Sequence, residues 1–143
     1  MANEQIFNLR KETVVVPACV FYKGKNRYLN MNAYTNWHYQ IRGGTKKKFT
    51  NLVKDEISRL PKMKKIHSLV YTLVVPSKTK RDRMNVYSVV DKFFCDALQE
   101  HGKIDDDSDD YINSFTFTKT EYIKGKRNDI RVQIELTFET LTT

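Results

Sequence analysis

Residues 65–75, Lys-Ile-His-Ser-Leu-Val-Tyr-Thr-Leu-Val-Val, are apolar on both alternations through their second half. A strand of this kind sits centrally. It is covered on both faces, or on one face with a dimer contact on the other. Pro76 stops it, because proline cannot donate to a strand ladder. A cleaner alternation occupies 129–139, with Ile130, Val132, Ile134, Leu136 and Phe138 facing in and Arg131, Gln133, Glu135, Thr137 and Glu139 facing out. Residues 111–118 alternate more weakly. Lys124-Gly125-Lys126-Arg127-Asn128 reads as the turn joining these two strands into an antiparallel hairpin with a basic tip. Upstream, 13–22 reads as a strand whose Pro17 calls for an edge position or a bulge. Lys23-Gly24-Lys25-Asn26 is a turn, and 27–30 returns as a short second strand.

Two stretches carry the helical period instead. Over 34–60, Phe49, Leu52, Val53, Ile57 and Leu60 form an apolar stripe that Trp37 and Ile41 extend upstream. Gly43-Gly44 weakens the middle by about 1 kcal/mol per glycine. Thr45 is placed to cap a separate second segment, and Pro61 ends the element. Lys46, Lys47 and Lys48 span most of a turn and read as solvated surface. From 85 to 99, Val86, Val90, Phe93, Ala97 and Leu98 make one apolar stripe, and Asn85, Ser88, Lys92, Asp96 and Gln99 a polar one. The order is β(β)αβαββ. It predicts an α+β fold: one domain over 1–143, with two helices packed on one face of a mixed sheet.

At 143 residues with 40% hydrophobic content the chain can bury an ordinary core. No apolar run approaches the 18 or so residues of a membrane span, and no secretory leader is visible. Cys19 and Cys95 are too few for a disulfide framework or a zinc site, so a cytoplasmic setting is expected. His38, His67 and His101 sit in unrelated contexts, and there is no Gly-rich phosphate loop. The net charge of +8 is uneven. Residues 42–83 hold thirteen Lys/Arg against Asp55, Glu56 and Asp82. Such a basic half points to a polyanion partner. Lys23, Lys25 and Arg27 crowd a further loop tip.

The chemistry-bearing stretch is 80–112. Lys80-Arg81-Asp82-Arg83-Met84-Asn85 opens the second helix, and Gly102-Lys103-Ile104-Asp105-Asp106-Asp107-Ser108 follows it. Carboxylates and an ammonium brought to one face would suit metal-assisted phosphodiester hydrolysis, with acids on a hard cation and cations on phosphate. A solvated acidic turn is the plainer reading of 105–110.

Arg81-Asp82-x-x-Asn85, Lys92-x-x-x-Asp96-Ala97-Leu98, Gly102 and Asp106-Asp107 resemble the RusA family of Holliday-junction resolvases, particularly its phage members. The likeness covers about the central quarter of the chain. It implies a homodimeric, Mg²⁺-dependent (or Mn²⁺-dependent) endonuclease that nicks opposing strands of a four-way DNA junction. Asp82 and Asp107 would then be metal ligands with Asp106 beside them. Lys92 would face the scissile phosphate, and Asn85 would fix the turn or orient the metal site. Lys78, Lys80, Arg81, Arg83 and Asn85 would contact DNA. A non-catalytic DNA-binding protein on the same fold is the alternative. The chain departs from the family at Met84, where the pattern has a second Asp. Either the site is one carboxylate short there, or Met84 packs on the core at the helix start.

Overall fold

A computed structural model describes residues 9–78, 82–106, 108 and 110–141. Its strands are β1 (Leu9–Pro17), β2 (Cys19–Tyr22), β3 (Lys25–Tyr28), β4 (Met63–Val75), β5 (Phe115–Phe117), β6 (Glu121–Tyr122) and β7 (Arg131–Thr140). Its helices are α1 (Met31–Asn36), α2 (Tyr39–Leu52), α3 (Lys54–Ser58) and α4 (Arg83–Glu100). The class is α+β with a mixed sheet, as the periodicity predicts. The five-stranded sheet runs β1-β7-β4-β5, with β6 also on β4, while β2 and β3 pair separately as a hairpin.

The central place of β4 follows from its composition. Leu69, Tyr71, Leu73 and Val75 are buried on one alternation, Thr72 and Val74 on the other. β7 lies antiparallel along nearly its whole length, with Leu69 opposite Leu136 and Leu73 opposite Val132. β1 pairs antiparallel with the far side of β7 and forms the sheet edge, where Pro17 costs no ladder bond. Val132, Ile134, Leu136 and Phe138 are fully buried, and they meet Phe93, Phe94 and Leu98 of α4 in one core.

The expected hairpin between 111–118 and 129–139 does not form. β5 and β6 run parallel to β4 on one side, and β7 runs antiparallel on the other. The reason lies in α4. Its end returns the chain to the start of β4, where the Met63 amide donates to the Lys103 carbonyl and the Ile66 amide to Tyr111. From there the chain can only run alongside β4 in the same direction, the usual consequence of a helical crossover. Alternation marks a half-buried strand but does not name its partner.

The Gly43-Gly44 pair does not break the helix either. α2 continues through it, and the chain bends at Val53 instead. Thr45 is therefore no cap. It lies buried inside α2, its hydroxyl without a hydrogen-bond partner among the described residues. The glycine at 44 serves packing: a Cβ there would fall onto the Tyr22 ring. The β2–β3 turn also needs its glycine, since Lys23 and Gly24 both take positive φ, at 52° and 76°.

Gly44→Ala should lower stability by about 1–3 kcal/mol by displacing Tyr22, although alanine is the better helix former. Thermal denaturation checks the sign. An unchanged or raised midpoint would show that Tyr22 moves aside freely.

Candidate nucleic-acid interface

β4 ends at Val75, and the chain turns through Pro76, Ser77 and Lys78 toward the start of α4. Asp82 begins that helix as its N-cap, with extended backbone and a carboxylate that accepts the Met84 amide at 3.1 Å. A negative group here also meets the positive end of the helix dipole. Arg83 reaches across to donate to the Thr118 carbonyl at 3.1 Å. The Tyr87 hydroxyl lies 3.4 Å from the same carbonyl. The Lys78 ammonium stands 6.0 Å over the ring of Tyr122. These contacts bind the 118–122 segment to the helix start.

The long loop after β6 then folds toward β3. Tyr28 donates to the Asn128 side chain at 2.5 Å, and Ala18 donates to the Ile130 carbonyl at 2.9 Å. The result is a groove of about 670 Å³. Ala18, Leu29, Val86 and Ile130 contribute apolar surface. Its polar lining comes from four places in the chain: Tyr28 and Asn30, Asn32 of α1, Ser77 with Asp82 and Asn85, and Gly125 with Arg127. The side chains of Asn32, Asn85 and Arg127 make no hydrogen bond or ion pair among the described residues, so they are available to a ligand. Lys124 and Lys126 are exposed beside them.

Two stretches some forty residues apart thus meet at one groove: Ser77, Asp82 and Asn85 from one, Gly125 and Arg127 from the other, with Arg127 the cation in the described lining. Of the residues expected to touch DNA, Asn85 lines it, as does the expected metal ligand Asp82, and Lys78 and Arg83 are near it in the chain. Lys80 and Arg81 lie outside the described residues. Reading the sequence missed Tyr28, Asn32 and Arg127. The basic turn at 124–128 is the available signal, and alternation alone pairs the strand after it with the wrong neighbour.

The described residues expected to hold a metal, Asp82 and Asp106, are not gathered. α4 is 18 residues long, about 27 Å. Asp82 stands before its first turn. Asp105 and Asp106 follow its end, where Asp105 pairs with Lys62 at 3.0 Å beside the start of β4. Asp107 lies outside the described residues. No three His, Cys, Asp or Glu side chains come together among the described residues. These residues therefore do not fit a shared Mg²⁺ between Asp82 and Asp106. Lys92 is set apart from Asp82 as well, about 15 Å along α4. Its ammonium sits 5.6 Å over the Tyr34 ring, which Arg42 also covers at 4.8 Å. Met84 is 49% exposed, so it does not pack on the core.

Titratable groups in the core are structural. Burial, reinforced by Cys95 and Asp91, pushes the Tyr71 phenol well above its ordinary range, so it stays neutral and donates to Asp91. Burial also raises the Cys19 thiol, which disfavours its reactive thiolate.

No family model matches the chain, and no curated protein matches it. Among solved structures there is a distant likeness to the hydrogenase maturation protein HypE in complex with ATP, at 12% identity and a TM-score of 0.39, covering 94% of this chain and 31% of that one. A second HypE structure matches at 11% identity and a TM-score of 0.40, covering 94% and 32%. The chain spans about a third of HypE's length. The superposition is too loose to bear on fold family or function. Among the described residues, no helix is long and apolar enough to cross a membrane.

Asp82→Ala should cost about 1 kcal/mol through loss of the cap, whereas Asp82→Asn, an equally good cap that loses only the charge at the helix dipole, should cost about 0.5 kcal/mol or less. A Mg²⁺-dependent rise in the wild-type melting temperature that Asp82→Asn abolishes would instead place a metal at this carboxylate.

Proposed function

We propose that this protein binds branched DNA, a four-way junction in particular, through the groove at the start of α4. The observation that supports it is the gathering at one groove of the Asn85, Asn32 and Arg127 side chains, unpaired among the described residues, with Lys78, Arg83, Lys124 and Lys126 in the adjoining stretches. Cations position a phosphate backbone, and free amides read edges or sugars. The resemblance at Lys92, Asp96-Ala97-Leu98 and Asp106-Asp107 supplies the junction as the form of DNA. A four-way junction has two-fold symmetry, so a homodimer belongs to the same reading.

Cleavage with Mg²⁺ or Mn²⁺ is the second reading. One observation favours it: a carboxylate, Asp82, lines the same groove as Arg127, where it opposes phosphate unless a cation intervenes. No catalytic step is drawn from it, because Asp82 and Asp106 lie past opposite ends of α4.

Junction binding, followed by fluorescence anisotropy across a salt series, tests the proposal. Wild type should lose affinity steeply with salt. The Lys124→Ala/Lys126→Ala/Arg127→Ala variant should bind at least about tenfold more weakly, with a log–log slope flatter by roughly two to three. An unchanged slope and affinity would remove this groove as the DNA site. In the same samples with Mg²⁺, paired nicks that vanish in Asp107→Asn would carry the cleavage reading too.

A further inference from the structure

A second concavity, about 420 Å³, lies between α2 and the end of α4. Lys46, Lys47, Lys54 and Asn51 line it, with Glu100 and His101 from the end of α4. Lys46 is held by Asp96 at 2.9 Å, and the His101 ring is bonded to the Thr50 carbonyl at 3.0 Å. Lys47 and Lys54 have no ion-pair partner among the described residues, and they outnumber Glu100, the one acid in the lining.

This concavity and the first groove belong to one seam. Successive helical residues are 100° apart, so Asn85, Lys92, Asp96 and Glu100 fall within about 80° on a single face of α4. α1 and α2 run along that face. Asn32 of α1 lines the first groove, Tyr34 of α1 lies under Lys92, and Lys46 of α2 pairs with Asp96. Asn85 and Glu100 are fifteen residues apart, about 22 Å along the axis. Phosphates of one DNA strand repeat every 3.4 Å or so along a duplex, which makes that span about six base pairs.

We infer that a DNA duplex arm lies along this seam. Its backbone is seated in the first groove and again, about six base pairs further on, at Lys47 and Lys54. The inference rests on the proposed reading of the first groove and extends it to a footprint of defined length. Lys92 and Arg42, stacked on Tyr34 between the two ends, keep the middle of the track positive.

The test uses DNA hairpins with stems of about 5 and about 14 base pairs, wild-type protein, and the Lys47→Ala/Lys54→Ala variant. Lys48→Ala serves as control, since Lys48 is exposed but does not line the concavity. On the long stem the double variant should bind about tenfold more weakly, with a salt slope smaller by nearly two. On the short stem it should match wild type. Wild type that binds both stems, with the double variant unchanged on the long one, overturns the seam and leaves the first groove standing. An equal loss from Lys48→Ala also overturns it, since that result reports general charge. Wild type that binds neither stem and no junction defeats the first groove's reading, and this one with it. Matching melting temperatures for all variants exclude loss of fold.

Discussion

The position of α4 across β4 governs the rest of the molecule, and two tyrosines set it. β5 pairs with β4 up to Tyr71 and β6 resumes at Val74, so the Leu73 amide faces a gap in the ladder. The Tyr87 hydroxyl fills that gap, accepting the Leu73 N–H at 2.9 Å. A buried amide left unpaired would cost about 1–3 kcal/mol. One turn further along, the Tyr71 hydroxyl donates to Asp91, tying the strand back to the helix. The Tyr87 ring stacks on Phe117 at 4.5 Å and nearly parallel, which holds β5 against the same helix. Apolar burial alone would let a helix slide over a sheet of Leu and Val. These polar bonds, made in a dry core, select one register.

That register has consequences at both ends of α4. At its start, Asp82 and Asn85 come directly after the end of β4, and the Thr118 carbonyl is within reach of Arg83. The chain from 118 to 130 must then pass this end to reach its place as β7, and it carries Lys124, Lys126 and Arg127 along. The groove is thus a by-product of topology: a parallel crossover followed by a return strand brings the start of α4 and the basic turn at 124–128 to one end of the sheet. At the other end, the same helix carries Asp105 and Asp106 away from Asp82.

Much of the fold was legible in the sequence. The two-sided apolar run at 65–75 gave the central strand, Pro17 the edge, and the 86–98 stripe the helix over the core. The partner of β7 was not legible, because alternation reports one buried face and says nothing of which neighbour supplies the hydrogen bonds. The continuity of α2 was hidden as well. Gly44 looks like a breaker by propensity, yet its missing Cβ is what admits Tyr22. At the candidate site, Asn85 and the basic residues flanking it were readable as a local motif. Arg127 and Tyr28 were not, since only the fold brings them to the groove. The resemblance puts Asp82, Asp106 and Asp107 at one metal. An 18-residue helix with no break keeps Asp106 at a distance from Asp82.

Amide hydrogen exchange with and without a synthetic four-way junction tests the central claim most directly, because it reports where DNA contacts the chain. The groove account predicts slowed exchange across 76–86 and 123–130, with 103–112 unchanged. Slowed exchange centred on 103–112, or no change at either end of α4 at saturating junction, would contradict it.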